Sequence, residues 1–195
     1  VDTLDLLLHP IRLRIVWAMS GGVTRTTTEL CERLPDVPKT TVYRHVGLLA
    51  EAGMLEVAEE QRVRGVVERH YRLRRERTVV DEDAARSMSL DDHRHGFAAA
   101  MAALMAAFNA YLDRPGADPF ADLVGYRQSV LWLSRDELAE MIGELREVMA
   151  ARWRNEPAPG RSPHLASAIF FPVEEPPHDT ARGPLDRDEP PRDDR

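Results

Sequence analysis

Cysteine is all but missing from this 195-residue chain, with Cys31 its single example. That excludes an internal disulfide framework, and no Cys-x-x-Cys or His-x-x-x-His spacing exists to hold a structural zinc. Enzyme signatures are missing as well: there is no phosphate-cradling glycine loop, no Gly-x-Ser-x-Gly elbow and no His-Glu-x-x-His. An enzyme is therefore not expected, and neither a cofactor nor a resident metal is implied. No run of about 18 uncharged apolar residues is present, and the first residues do not read as a basic stretch, an apolar stretch and a cleavage site. A soluble, cytoplasmic protein with no membrane partner is the expectation.

Lysine is equally scarce, and Lys39 stands alone. It opens "KTTVYRHVGLLAE", where two threonines, Tyr43, Arg44 and His45 crowd the start of one short segment of a chain whose formal net charge is −7. The charge is unevenly spread. Residues 1–80 carry 13 Arg and Lys against 11 Asp and Glu, which leaves 13 against 22 for residues 81–195 out of totals of 26 and 33. A basic module on an acidic body suits a nucleic-acid reader, because attraction to phosphate is local to the binding face.

Hydrophobic spacing divides the chain. Leu7, Leu8, Ile11, Ile15, Val16 and Met19 recur at helical intervals, Pro10 suits a first helical turn, and Gly21-Gly22 ends the pattern. "TRTTTELCERL" predicts a second helix capped by Thr26 or Thr27, with Leu30, Cys31 and Leu34 inward, and Pro35 to Pro38 form a turn. A third helix follows at about 39–51. Val42, Val46 and Leu49 form its buried stripe, Thr41 is a candidate cap, and Gly53 stops it. From about 56 to 74 the period changes to two around Gly65, which predicts a hairpin with arginines at its tip.

Three helices and then a basic hairpin is the order of a winged helix-turn-helix. The helix after the turn enters a major groove and presents its first side chains to base edges, while the hairpin reaches the adjacent backbone or minor groove. Candidate DNA contacts are Lys39, Thr40, Thr41, Tyr43, Arg44 and His45 on the helix, and Arg62, Arg64 and Arg69 on the wing. Arginine can bond two acceptors on guanine at once. Arg72, Arg74, Arg75 and Arg77 read equally as a phosphate track or an exposed strand end.

The segments "LLLHPIRLRIVWAMSGG", "TTTELCERLPDVPKTTVYRHVGLLAEAGMLEV" and "RVRGVVERHYRL" together resemble the arsenic-repressor (ArsR-like) family of winged-helix transcription regulators, over about residues 4–75. The resemblance implies a homodimer on a pseudo-palindromic operator in double-stranded DNA. It departs from the metal-sensing members in "ELCERL", which keeps one cysteine where those carry a pair, and in Tyr43, where many members have serine. Cys31 then reads as a small core residue.

Beyond a polar connector at 81–90 the sequence predicts a helix capped by Ser89 and closed at Pro115-Gly116, a strand at 125–134, a helix capped by Ser134 with Glu137, and a strand at 165–174. The fold class is thus mainly α with a small β component: a winged helix-turn-helix domain over 1–80, a helical/αβ dimerisation or effector region over 86–173, and a disordered tail over 174–195. Phe97, Met101, Met105, Phe108 and Trp132 are candidates to line a pocket for a small-molecule effector, or else serve as core or dimer contact. Asp91, Asp92, His93 and His95 offer cation ligands, against the plainer role of acids at a helix N-terminus. The expected function is a homodimeric, sequence-specific DNA-binding transcription regulator. The competing expectation is a winged-helix protein-interaction module without DNA binding.

Overall fold

The computed structural model describes residues 6–63, 65–77, 82–153 and 155–174. Helix α1 (Pro10–Ala18) starts where proline loses no hydrogen bond, and the His9 ring accepts from the Ile11 N–H at 3.2 Å as its cap. Strand β1 (Thr24–Thr26) runs directly into α2 (Thr27–Arg33). Thr26 closes the strand and caps the helix: its hydroxyl accepts from the Glu29 N–H at 3.2 Å, and the Glu29 carboxylate accepts from the Thr26 N–H at 2.8 Å. A turn at 34–38 leads into α3 (Lys39–Glu51). Gly53, at φ +71°, then sends the chain into β2 (Leu55–Val63).

Strands β2 and β3 (Val66–Leu73) form an antiparallel hairpin, from Leu55 opposite Leu73 to Val63 opposite Val66, with a register shift between Val57 and Glu59. Gly65, at φ +85°, supplies the left-handed residue the tight turn requires. Strand β3 is central, because β1 pairs with its other edge through Thr24–Arg72, Arg25–Tyr71 and Thr26–His70. Three helices and a three-stranded antiparallel sheet make this a winged helix-turn-helix of the α+β class.

The core lies between α1, α2, α3 and the start of β2. Ile15, Met19, Leu30, Leu34, Val42, Val46, Leu49, Met54 and Leu55 are almost fully buried there, and Tyr71 and Leu73 close it from the sheet. Cys31 is part of this core. Arg14 is the charged side chain buried beside this core: 7% exposed, it donates from both terminal nitrogens to the Asp36 carboxylate at 2.6 and 2.7 Å. That pair ties α1 to the turn that aims α3.

Helix α4 (Glu82–Ser87) occupies most of the expected connector, and α5 (Leu90–Leu112) follows under the predicted cap, with the Asp92 N–H donating to the Ser89 hydroxyl at 3.2 Å. Helix α5 packs on α1. Its contact face is made of small residues: Ala99 and Ala103 are buried, and a Cβ at Gly96 would come within 2.9 Å of Leu8 Cδ2. By length and composition α5 is also the one helix among the described residues apolar enough to cross a membrane, with a mean hydropathy of 1.3 over its richest window. The expectation of no such segment is corrected to that extent, because Asp91, Asp92 and Arg94 crowd one end and leave the rest almost uncharged.

Helix α6 (Arg135–Trp153) has its predicted cap, with the Glu137 N–H donating to the Ser134 hydroxyl at 3.2 Å and the Glu137 carboxylate accepting from the Ser134 N–H at 2.7 Å. Neither expected C-terminal strand forms. Among the described residues, 125–134 and 165–173 pair neither with each other nor with the outer edges of β1 and β2, and without a ladder they are not strands. Of the expected tail, residues 175–195 lie outside the described residues.

Replacing Asp36 with alanine leaves Arg14 buried without its anion. Because Asp36 is itself half exposed, the expected loss is moderate, about 2 kcal/mol, read as a lower urea midpoint. The Arg14 hydrogen bonds hold the Asp36 carboxyl below its ordinary range, against partial burial that raises it. Its folded pKa is therefore the lower one, so the pair's contribution is complete above about pH 4 and declines as acid protonates the carboxylate. The alanine variant should lose that part of the acid sensitivity.

Candidate nucleic-acid interface

Helix α3 has two faces because its apolar residues recur at i, i+4 and i+7. Val42, Val46 and Leu49 are at most 2% exposed and seat the helix on the core, which leaves Lys39, Thr40, Tyr43 and Arg44 outward and Thr41 half-buried. The N-cap position is Pro38 and no side chain caps the helix, so Thr41 does not play the capping role expected of it. The Thr41 and Val42 N–H groups bond the Pro38 carbonyl at 2.9 and 3.1 Å instead. That leaves the Lys39 and Thr40 N–H groups beside the Lys39 ammonium at the helix start, an arrangement suited to phosphate.

Tyr43 is 54% exposed, and its hydroxyl lies 3.4 Å from the Thr28 hydroxyl on α2. The two helices of the turn thus share one polar surface. His45 departs from expectation: it is 2% exposed and its ring lies on that of His9, with centroids 4.4 Å apart. A residue facing the core cannot meet a base edge, so His45 is removed from the direct contacts. One turn of helix separates it from Val42 and Leu49, and that spacing carries it inward.

The His45 pKa is lowered to about 4, first by burial and then by His9, Arg44 and Arg12 nearby. His9 is lowered for similar reasons, burial first and then Arg12 and Arg44. Folding therefore favours the neutral ring of His45.

On the wing, Arg62 is exposed and makes no ion pair among the described residues, while Arg64 lies outside them. Arg69 donates to Glu60 at 3.0 Å. Arg72 and Arg74 share Glu56, each at 2.6 Å, and hold its carboxyl below the ordinary range, Arg74 first. These three arginines are tied to the hairpin's own carboxylates, and any use on DNA requires exchanging one anion for another.

The five residues expected to line a pocket are divided. Phe97 and Met101 do line a groove of about 780 Å³ with Trp17 of α1 and Leu165, Ile169 and Phe171 of the C-terminal segment. Met105 and Trp132 are 67% and 83% exposed, and Phe108 stacks near Tyr111 and Tyr126 instead. Met105 and Phe108 share the helical face of Phe97 and Met101 but lie one to three turns further along α5, beyond the groove at Trp17, and Trp132 belongs to the unpaired segment before α6. As for a cation, Asp92 is engaged in the cap, Asp91 faces Arg94 at 3.4 Å and His95 at 3.7 Å, and no group of three or more ligating residues converges among the described residues.

Sequence reasoning missed β1 and its junction with α2. The β-branched run "VTRTTT" was the available signal.

A family model described as a helix-turn-helix domain matches residues 7–58, from the segment before α1 into β2. The N-terminal region is therefore of the helix-turn-helix class, whose helix after the turn is the DNA-reading element. No curated protein matches the chain.

Acidification tests the His45 environment. A folded pKa below the ordinary 6.5 means that its contribution to stability is present above 6.5 and is lost as pH falls toward 4. Urea midpoints measured from pH 7 to 4.5 should fall for the parent protein, and fall less for His45→Gln.

Proposed function

We propose that the chain is a homodimeric transcription regulator that reads double-stranded DNA with α3 in the major groove and the β2–β3 wing on adjacent backbone. The observation that carries this reading is the outward set Lys39, Thr40, Tyr43 and Arg44 around an uncapped helix start, within a region of the helix-turn-helix class. Arg44 and Tyr43 supply specificity in this reading, with Thr40 and Thr41 at the groove edge. Lys39, Arg62, Arg64 and Arg69 supply phosphate affinity. The arsenic-repressor resemblance supports the same assignment, and no catalytic role is part of it.

The division into a reading domain over 1–80 and a dimerisation region over 86–173 follows from where apolar surface remains uncovered. Phe97, Met105, Phe108 and Leu112 on α5 stay 36–67% exposed, and so do Val148 and Trp153 on α6, at 52% and 59%. A second copy is the cover we assign. The groove at Trp17 and Met101 is the place we assign to a small apolar effector, since its volume lies in the range of small-molecule sites.

The direct test is binding of genomic duplex fragments across a salt series. Affinity should fall linearly on logarithmic axes, by about 0.9 of a log unit per log unit of salt for each phosphate contact. Arg44→Ala should lose about tenfold or more in discrimination at one base pair, with the salt slope little changed. An Arg44→Ala protein as selective as its parent would remove α3 from the recognition role. The second reading, a winged-helix interaction module, is favoured by the wing arginines already held by Glu56 and Glu60. It gains if no fragment binds at moderate salt.

Light scattering checks the dimer. Phe108→Glu combined with Met105→Glu should convert a dimer into the 22.1 kDa monomer while the far-ultraviolet spectrum stays helical. A parent that is already monomeric at micromolar concentration contradicts the assignment.

A further inference from the structure

We propose that His45 is a positioning residue for Arg44, holding the guanidinium of the base-reading arginine through a neutral ring packed against His9. The inference rests on the DNA-reading function proposed above and adds a residue that touches no DNA.

The geometry constrains the protons. Arg44 Nη2 lies 3.3 Å from His45 Nε2. A guanidinium only donates, so Nε2 must be the bare, accepting nitrogen and the proton of the neutral ring sits on Nδ1. His45 Nδ1 is buried and has no hydrogen-bond partner among the described residues. Its cost is accepted for the sake of the other nitrogen, because the opposite tautomer would aim an N–H at the guanidinium. His9 is constrained likewise: its Nδ1 accepts from the Ile11 N–H, which places its proton on Nε2. The N-cap of α1 and the second turn of α3 thus meet in two tilted rings of defined tautomer.

The groups that act on His45 are His9 and Arg12 from the α1 side and Arg44 from its own helix. None is an acid. A protonated ring would lose its acceptor and face cations on both sides, so Arg44 would be released as well as repelled. Holding a flexible arginine before DNA arrives lowers the side-chain ordering that binding must otherwise supply. A buried acceptor one residue away does this without occupying the reading surface.

Two measurements test the assignment. In the free protein at pH 7, nitrogen-15 spectra should show His45 as the neutral Nδ1–H tautomer; an Nε2–H tautomer overturns the proposal without any DNA. On a duplex selected from genomic fragments, His45→Met should lose about tenfold in discrimination at the base pair that Arg44→Ala no longer distinguishes, with an unchanged salt slope. His45→Gln, whose amide oxygen can replace Nε2 as acceptor, should regain most of it. The double variant Arg44→Ala with His45→Met should be no worse than Arg44→Ala alone. If His45→Met does not fold, as judged by its thermal transition, the tautomer and the selectivity of His45→Gln decide. A His45→Met protein that reads the base pair as its parent does, while Arg44→Ala does not, refutes the positioning role and leaves the DNA-reading function standing. A parent that binds no duplex refutes both.

Discussion

The seating of α3 on the core is the constraint from which the other features follow. Val42, Val46 and Leu49 join Ile15, Leu30 and Leu34 in one buried cluster, and that contact sets the rotation of the helix about its axis. Once the rotation is set, the outward residues have no freedom to choose their face: Lys39, Thr40, Tyr43 and Arg44 point away, and His45 points in. The Arg14–Asp36 pair performs the matching task at the helix entrance. It joins α1 to the turn through two charge-assisted bonds, so the start of α3 is located from one side by apolar burial and from the other by an ion pair.

Electrostatics explains why a chain of net charge −7 is compatible with a DNA reader. Four of the eleven acids of residues 1–80 are committed within the region: Asp36 to Arg14, Glu29 to the α2 cap, and Glu56 and Glu60 to wing arginines. Lys39 and Arg62 are cations left outside these pairs, and they sit at the two places where a duplex would meet the module. Surface pairs of the Glu60–Arg69 kind are weak in water. Their exchange for phosphate therefore costs little, and the local potential, not the total charge, governs encounter.

Helices α1, α2, α3, α5 and α6 were legible because each carries a stripe at helical spacing and a recognisable boundary: Pro10, Thr26 or Thr27, Gly53, Ser89 with Asp92, Ser134 with Glu137. The hairpin was legible from the period-two pattern around Gly65. What failed was everything that depends on a partner at long range. Three residues of β1 have no periodicity of their own and become a strand only because β3 offers an edge. The segments at 125–134 and 165–173 read like strands but pair with no neighbour among the described residues. His45 was misplaced for a related reason. Polar type suggested the surface, whereas its position inside the Val42–Leu49 stripe, with His9 available to cover it, decided for the interior.

Helix α5 links the two halves through the absence of side chains. Gly96, Ala99 and Ala103 let it approach the start of the chain closely, where a Cβ at Gly96 would meet the Leu8 methyl just before α1. The same α1 carries His9 and Arg12 to the ring of His45, and Ile15 to the seat of α3. Any body that covers the outer face of α5 or fills the groove at Trp17 therefore acts on a helix packed directly against the one that positions α3.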